Sequence, residues 1–285
     1  MLNEFLRRHD GVVTLQHARE AGLSKHAVYR RVRSGEWRRC SRGVYFADDR
    51  PFTDASRIRA GVWAYGDHAV GSGLTAAWWH GLTQFAPDRV EVTMPRNASG
   101  RRRPESVLRR RDLDSADIVE RRGLLVTAVP FTVVEAAIRR RGGMKIMDWA
   151  LLHDVRLSEL WRAHMRNKGR YGSPAARIRL QAADDGARSA AERLLVRLLR
   201  KAGITGWQTN YRVGGYMLDV GFPDSKVAIE VDGLAYHSEP DDFHRDRVRQ
   251  NNIMLMDWQV LRFTWIDLVE YPDRVIATIR SAISV

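Results

Sequence analysis

Hydrophobic and polar positions alternate with period two in two stretches near the end of the chain, Tyr216 to Phe222 and Val227 to Asp232, separated by Pro223-Asp224-Ser225-Lys226. Period two over six or seven residues marks a strand, and a Pro-Asp-Ser run marks a turn, so the pattern predicts a β-hairpin. With Phe222 opposite Val227, Val220 faces Ile229 and Leu218 faces Val231, which gives one continuous apolar face. The same register sets Asp219 against Glu230, with Asp232 about 7 Å from Glu230 on the same side. Carboxylates directly opposed at a Cβ separation of about 5 Å repel. A divalent cation removes that conflict, and neutralising either acid is then expected to leave the metal-free protein at least as stable. Gly221 and Ala228 leave room beside the acids. The competing reading is a polar strand face whose acids pair with arginines elsewhere.

Around this hairpin the pattern predicts a helix from Ser189, with Leu194, Leu195, Leu198 and Leu199 on one face and Gly203 near its end. A second helix is expected over Phe243–Met256, a strand over Val260–Phe263 and a closing helix over 267–283. Glu192 leans toward the sheet as a fourth acid, although Ser189-Ala190-Ala191-Glu192 also fits a capping box. Arg245 and Arg249 are four residues apart on one helical face, suited to neutralising a phosphate, or to pairing with Asp246. His237, five residues beyond Asp232, is placed to carry a proton or sit beside a metal.

Residues 1–48 read as three short helices and a β-hairpin. Leu2, Phe5 and Leu6 form a first apolar stripe, Thr14 to Ala21 a second helix, Gly22 a turn, and Ser24 caps a third helix running to about Arg33. Trp37 to Phe46 then makes two short strands, completing a winged helix-turn-helix. Lys25, His26, Tyr29, Arg30 and Arg33 on the third helix, with Arg38 and Arg42 on the wing, are residue types suited to phosphate and base-edge contacts. Farther on, Val70–Leu82 is expected as a buried helix with Trp78 and Trp79 in the core, and Val90–Met94 as a strand. The loop from Arg96 to Pro104 carries Arg101, Arg102 and Arg103, which either grip a phosphate backbone or form a solvated basic turn. Helices are expected over Thr132–Arg139 and Ile146–Leu152, and residues 166–186 read as a boundary. The organisation is therefore α/β: a winged helix over 1–48, an α/β middle domain over 49–180, and a C-terminal domain over 186–285 with a mixed sheet flanked by helices.

The 285 residues carry a formal charge of +13. Residues 1–48 hold +5, residues 49–185 hold +8 and residues 186–285 hold 0, so the basic excess lies outside the acid-bearing segment. That distribution suits a chain that holds a polyanion in one part and a cation in another. A single cysteine, Cys40, excludes an intramolecular disulfide framework and a Cys-rich zinc site. No apolar run approaches the roughly 18 residues of a membrane span, and Met1-Leu2-Asn3-Glu4 is followed by no signal-peptide core, so a cytoplasmic location without a membrane partner is expected.

Leu218-Asp219, Ile229-Glu230-Val231-Asp232-Gly233 with His237, Arg245 to Asn251, and Trp258 to Phe263, taken in order, resemble the very short patch repair-like branch of the PD-(D/E)XK nuclease superfamily over about residues 186–285. The resemblance implies a restriction-endonuclease-like fold and a metal-dependent endonuclease acting on duplex or single-stranded DNA. Asp219, Glu230 and Asp232 would take Mg²⁺ or Mn²⁺, with Asp232 where the wider superfamily has lysine. Glu192, His237, Arg245 and Arg249 would complete the catalytic set. Gly11 to Thr14, Gly43 to Tyr45, and Ala76 to Leu82 resemble AbiEi-type antitoxins, which implies DNA binding, transcriptional regulation and a possible toxin partner. The rival readings are a non-catalytic repressor and a toxin-linked RNA nuclease, as a monomer or a homodimer.

Overall fold

The structure, a computed structural model, describes residues 2–99, 101–139, 142–153, 155–232 and 240–284, with residues 240–246 described as backbone only. The chain forms two compact units, Met1–Val155 and Arg156–Val285.

The first unit begins with α1 (Leu2–Arg8), β1 (Val12–Thr14), α2 (Leu15–Glu20), α3 (Lys25–Arg33), β2 (Trp37–Ser41) and β3 (Val44–Ala47). Thr14 and Ser24 start α2 and α3 by accepting the backbone N–H of His17 and Ala27, as the cap residues require. Leu6, Val13, Ala18, Val28, Trp37 and Tyr45 bury the apolar faces of these elements. The winged-helix order is as expected, with one addition: β1 joins the wing in a three-stranded sheet of order β1-β3-β2.

The unit continues with α4 (Asp54–Trp63), β4 (Val70–Gly71), α5 (Gly73–His80), β5 (Val90–Met94), β6 (Ser106–Arg110), β7 (Ile118–Arg121), β8 (Leu124–Thr127), α6 (Val129–Ala137) and α7 (Gly143–Leu152). The strands form a mixed five-stranded sheet of order β6-β5-β4-β8-β7. The helix expected from Val70 starts only at Gly73, because Val70–Gly71 is drawn into the sheet between β5 and β8. Trp79 is in the core as expected, with its ring N–H donating to the Arg121 carbonyl.

Arg59 of α4 is the most constrained charge in this unit. Its side chain has no solvent exposure, and it donates to Asp10 Oδ2 at 3.0 and 2.9 Å, to Gly123 O at 3.0 Å and to Arg122 O at 2.7 Å. The guanidinium also lies 5.1 Å from the ring centres of Trp63 and Trp79. It ties the end of α1, α4 and the β7–β8 turn to one another.

The second unit comprises α8 (Leu157–Arg166), α9 (Ser173–Lys201), β9 (Gln208–Val213), β10 (Tyr216–Phe222), β11 (Val227–Asp232), α10 (Pro240–Met254), β12 (Gln259–Thr264), α11 (Trp265–Glu270) and α12 (Pro272–Ile283). Its sheet has the order β12-β11-β10-β9, with β11 and β12 parallel and the other pairs antiparallel. One face packs Val220, Phe222, Val227, Ile229 and Val231 on α9, α11 and α12 through Leu195, Leu199, Leu268, Val275 and Ile279. The other face packs Leu218 and Ala228 on Ile253 and Trp258. This is the mixed sheet flanked by helices that the sequence leads one to expect.

Three expectations read differently in the structure. The break between units falls after Val155 and not within 166–186, because that stretch leads straight into the 29-residue α9. Ser189 and Glu192 therefore lie inside a helix and form no capping box. The single closing helix is two, α11 and α12, divided where Pro272 removes a backbone donor. No described helix is long and apolar enough to cross a membrane.

Arg59→Ala strips a buried cation from Asp10 and two carbonyls, and a broken buried pair costs about 3 kcal/mol or more. Urea unfolding should show a loss of that size in the transition that reports residues 1–155. A loss below about 1 kcal/mol would mean that the Arg59 contacts are not what holds these elements together.

Candidate functional site

The hairpin register is the expected one where it is paired: Val220 with Ile229, Gly221 with Ala228, Phe222 with Val227. It stops at Asp219. The β9 ladder also omits this residue, pairing Leu218 with Tyr211 and Val220 with Thr209 while Asn210 between them takes a positive φ of 51°. Leu218 packs beside Ala228 on the opposite face from Val220, so the alternation slips by one position at Asp219. The continuous apolar face expected through Leu218 and Val231 is thus broken. The space beside Gly221 is not free either, since a Cβ there would meet Tyr211 at 2.9 Å.

After the slip the Asp219 carboxylate bridges β11 and α9. One oxygen accepts the Val231 backbone N–H at 2.8 Å, standing in for the missing ladder bond, and the other accepts Arg188 Nη2 at 2.6 Å. Arg188 Nε lies 3.2 Å from Glu192 Oε1, one turn along α9. Glu230, from the next strand, receives both terminal nitrogens of Arg249 at 2.8 and 2.7 Å, and Arg249 also donates to Met217 O. Asp219 and Glu230 are buried, at 8% and 5% exposure. Asp232 lies at the end of β11, half-buried, with Arg262 Nη1 at 3.6 Å.

Among the described residues no group of three or more His, Cys, Asp or Glu side chains is arranged to hold a metal ion. The trio expected from the sequence is not gathered, because Asp219 is directed to α9, Glu230 to α10, and Asp232 pairs across the parallel strand. Two acids and Glu192 still share one electrostatic neighbourhood. The Arg188 guanidinium is pushed above its ordinary range: burial opposes its charge, and the bond to Asp219 with the charges of Asp219, Glu192 and Glu230 outweighs it. Burial and then the Asp219 charge raise the Glu192 carboxyl. Asp219 and Glu230 fit a hard cation in atom type and charge: both are buried oxygen donors, and guanidinium groups now satisfy their charge.

Arg188 falls outside the helix that the pattern predicts from Ser189, and its place one turn before Glu192 is the signal that marks it. His237 lies outside the described residues, as does the Arg245 side chain.

In the first unit, Lys25, His26, Tyr29, Arg30 and Arg33 are all exposed on α3, with the Lys25 ammonium 5.6 Å from the Tyr29 ring centre. Arg42 of the wing and Arg101 and Arg103 of the basic loop line one cavity of about 380 Å³, so wing and loop share a surface. Arg102 is exposed nearby. Two of the expected contact residues are engaged internally: Arg38 with Asp48 at 3.3 Å and over Phe46 and Phe52, Arg103 with Ala64 O and over Tyr65.

Three segments of the chain match family models. Residues 1–46 match the AbiEi antitoxin transcriptional regulator, residues 69–168 the AbiEi antitoxin C-terminal domain, and residues 192–283 the restriction-endonuclease-like model REase_MTES_1575. The chain thus joins AbiEi antitoxin-like segments to an endonuclease-like domain. Two relatives, the uncharacterized proteins MT2308 and Rv2248 of Mycobacterium tuberculosis, are each 28% identical over 257 residues, covering 87% of this chain and 93% of their own. Among solved structures, the catalytic domain of the homing endonuclease I-Bth0305I is 23% identical over 32% of this chain and 91% of its own, with a TM-score of 0.28. The Rv2827c protein of Mycobacterium tuberculosis is 20% identical over 62% of this chain and 72% of its own, with a TM-score of 0.37.

Because each buried acid is paired, Glu230→Gln should destabilise the metal-free protein, by about 2 kcal/mol for charge-assisted bonds weakened to neutral ones. This reverses the expectation from opposed charges, and an unchanged or higher unfolding midpoint in EDTA would restore it. The Glu192 carboxyl, raised in the folded state, binds its proton more readily folded than unfolded. Its contribution is present below the ordinary value of 4.5 and is lost as pH rises through the higher folded value. Glu192→Gln should flatten that decline in a pH series of unfolding midpoints, and a decline of the same size in the variant would count against the assignment.

Proposed function

We propose that this protein is a DNA-binding, divalent-metal-dependent endonuclease that cuts or nicks phosphodiesters, in the manner of very short patch repair-like PD-(D/E)XK enzymes. The observation that carries this reading is the pair of buried carboxylates, Asp219 and Glu230, on the two central strands of the sheet within the segment that matches an endonuclease-like family. Asp219 and Glu230 would hold Mg²⁺ or Mn²⁺, which when bound supplies an acidified water and charge stabilisation for the departing oxygen. Asp232 stands where lysine is usual, so the chain's own positive charge at the phosphate comes from Arg188 and Arg249, with Arg245 one turn away from Arg249. His237, by the spacing of its motif, carries the proton. The α3 surface and the joined wing and basic loop hold the DNA, and the work is done in the cytoplasm.

A second reading has specific support. AbiEi antitoxin models match both 1–46 and 69–168, and both central acids are paired with arginines. On that reading the chain is a repressor that meets a toxin partner or a second copy of itself, and its endonuclease-like fold is idle.

Purified protein incubated with supercoiled, linear and single-stranded DNA, and with RNA, across divalent metals separates the two. Cleavage of DNA should require Mg²⁺ or Mn²⁺, stop in EDTA, and disappear in Asp219→Asn and Glu230→Gln. Wild-type protein that binds promoter DNA specifically and cuts nothing would establish the repressor instead. In either case Arg30→Ala with Arg33→Ala should weaken DNA binding and flatten its salt dependence, and an unchanged slope would remove α3 from the interface.

A further inference from the structure

α9 carries arginines with very different surroundings. Arg188 is bound to Asp219 and Glu192. Arg193 and Arg197 are exposed and form no hydrogen bond or salt bridge with any described residue. Arg200 is exposed, with its guanidinium 5.9 Å from the centre of the Trp207 ring. Arg193, Arg197 and Arg200 follow the i, i+4, i+7 spacing that places residues along one side of a helix. They form a wall of a cavity of about 480 Å³ whose other lining includes Thr209 and Asn210 of β9. Glu192 and Asp219 line the same cavity, so it opens onto the carboxylate pair. The zero net charge of this part of the chain therefore hides a separation, with acids on the central strands and exposed cations along the helix.

We infer that this cavity seats the stretch of one DNA strand flanking the phosphate addressed by Asp219 and Glu230, with Arg193, Arg197 and Arg200 as positioning residues for successive backbone phosphates. The inference rests on the nuclease reading above and specifies where its substrate lies. The three residues span about 10.5 Å of helix, at 1.5 Å per residue. A DNA strand presents a phosphate every ~3.4 Å of axis, so roughly three phosphates fall within that span. A lone phosphate would leave most of this row unmatched, whereas a strand neutralises it along its length. Thr209 and Asn210 supply neutral hydrogen-bonding groups opposite the arginines, suited to sugar and phosphate oxygens. The carboxylates at one end repel a phosphate until a cation joins them, so the strand enters along the arginine wall.

The experiment uses the full-length chain in EDTA, where binding is read without cleavage, with a fluorescent single-stranded DNA oligonucleotide titrated across a KCl series. Each phosphate contact on a single strand contributes a slope of about 0.7 in log K against log salt. Arg193→Ala with Arg197→Ala should make the slope shallower by about 1.4, and the paired lysine variant should restore it. The same change should appear in the Arg30→Ala, Arg33→Ala background, since those residues lie on a separate element. With Mg²⁺ or Mn²⁺ the alanine pair should raise KM while kcat changes little. An unchanged slope in both backgrounds, or a lysine pair as defective as the alanine pair, would overturn the inference. So would a slope change seen with an RNA strand and absent with DNA. Absence of cleavage by the wild type would overturn the nuclease reading alone, because the slopes in EDTA still decide whether this cavity holds the strand.

Discussion

Two carboxylates buried on the central strands of a β-sheet need positive charge, and the helices on both faces of the second unit's sheet supply it. An unpaired buried carboxylate is too costly to keep ionised. Asp219 and Glu230 meet the requirement with Arg188 from α9 and Arg249 from α10, helices that approach the sheet from its two faces. The acids sit on strands and are held by backbone geometry, while their partners are long side chains with 45% and 25% exposure. The arginines are therefore the exchangeable members of each pair. A site built this way keeps its charge balanced with or without another cation, and it has two guanidinium groups at hand when the carboxylates are otherwise satisfied.

The first unit solves a similar problem with no exchangeable member. Arg59 is wholly enclosed, and its hydrogen bonds all end on groups that join the winged helix to the five-stranded sheet. Burial lowers the arginine's affinity for its proton, and the hydrogen bond and charge of Asp10 offset only part of that. One charge is consumed in architecture. The α3 arginines and the surface shared by Arg42 and Arg101 remain outward, where phosphates would meet them. The contrast between enclosed and exposed arginines separates those that hold the fold from those available to a partner.

Much of this was legible in the chain. The hairpin register followed from period-two alternation and a four-residue turn, and the cap of α3 followed from Ser24. The slip at Asp219 was not legible, because it depends on a positive φ at Asn210 in a neighbouring strand that no local pattern announced. The start of α9 was hidden for another reason. Residues 173–188 are rich in Ala, Arg and Asp and include Gly186, which disfavours a helix by about 1 kcal/mol, and their buried stripe is only Ala176, Leu180 and Asp184. A helix anchored by so few apolar residues reads as a linker, and Arg188 disappears with it. Pairing of the acids with arginines was visible as an alternative but could not be chosen, since the partners lie 31 and 19 residues away.

Whether the carboxylate pair is a cation site or a closed set of ion pairs is the question on which the account turns. Direct titration of Mn²⁺ into the full-length protein, followed by the loss of the free-ion electron paramagnetic resonance signal, addresses it without reference to any substrate. The account predicts saturable binding in the wild type that is lost in Glu230→Gln and in Asp219→Asn, with Arg249→Ala binding at least as tightly because a competing internal cation is gone. Equal Mn²⁺ binding by the wild type and both acid variants would contradict it.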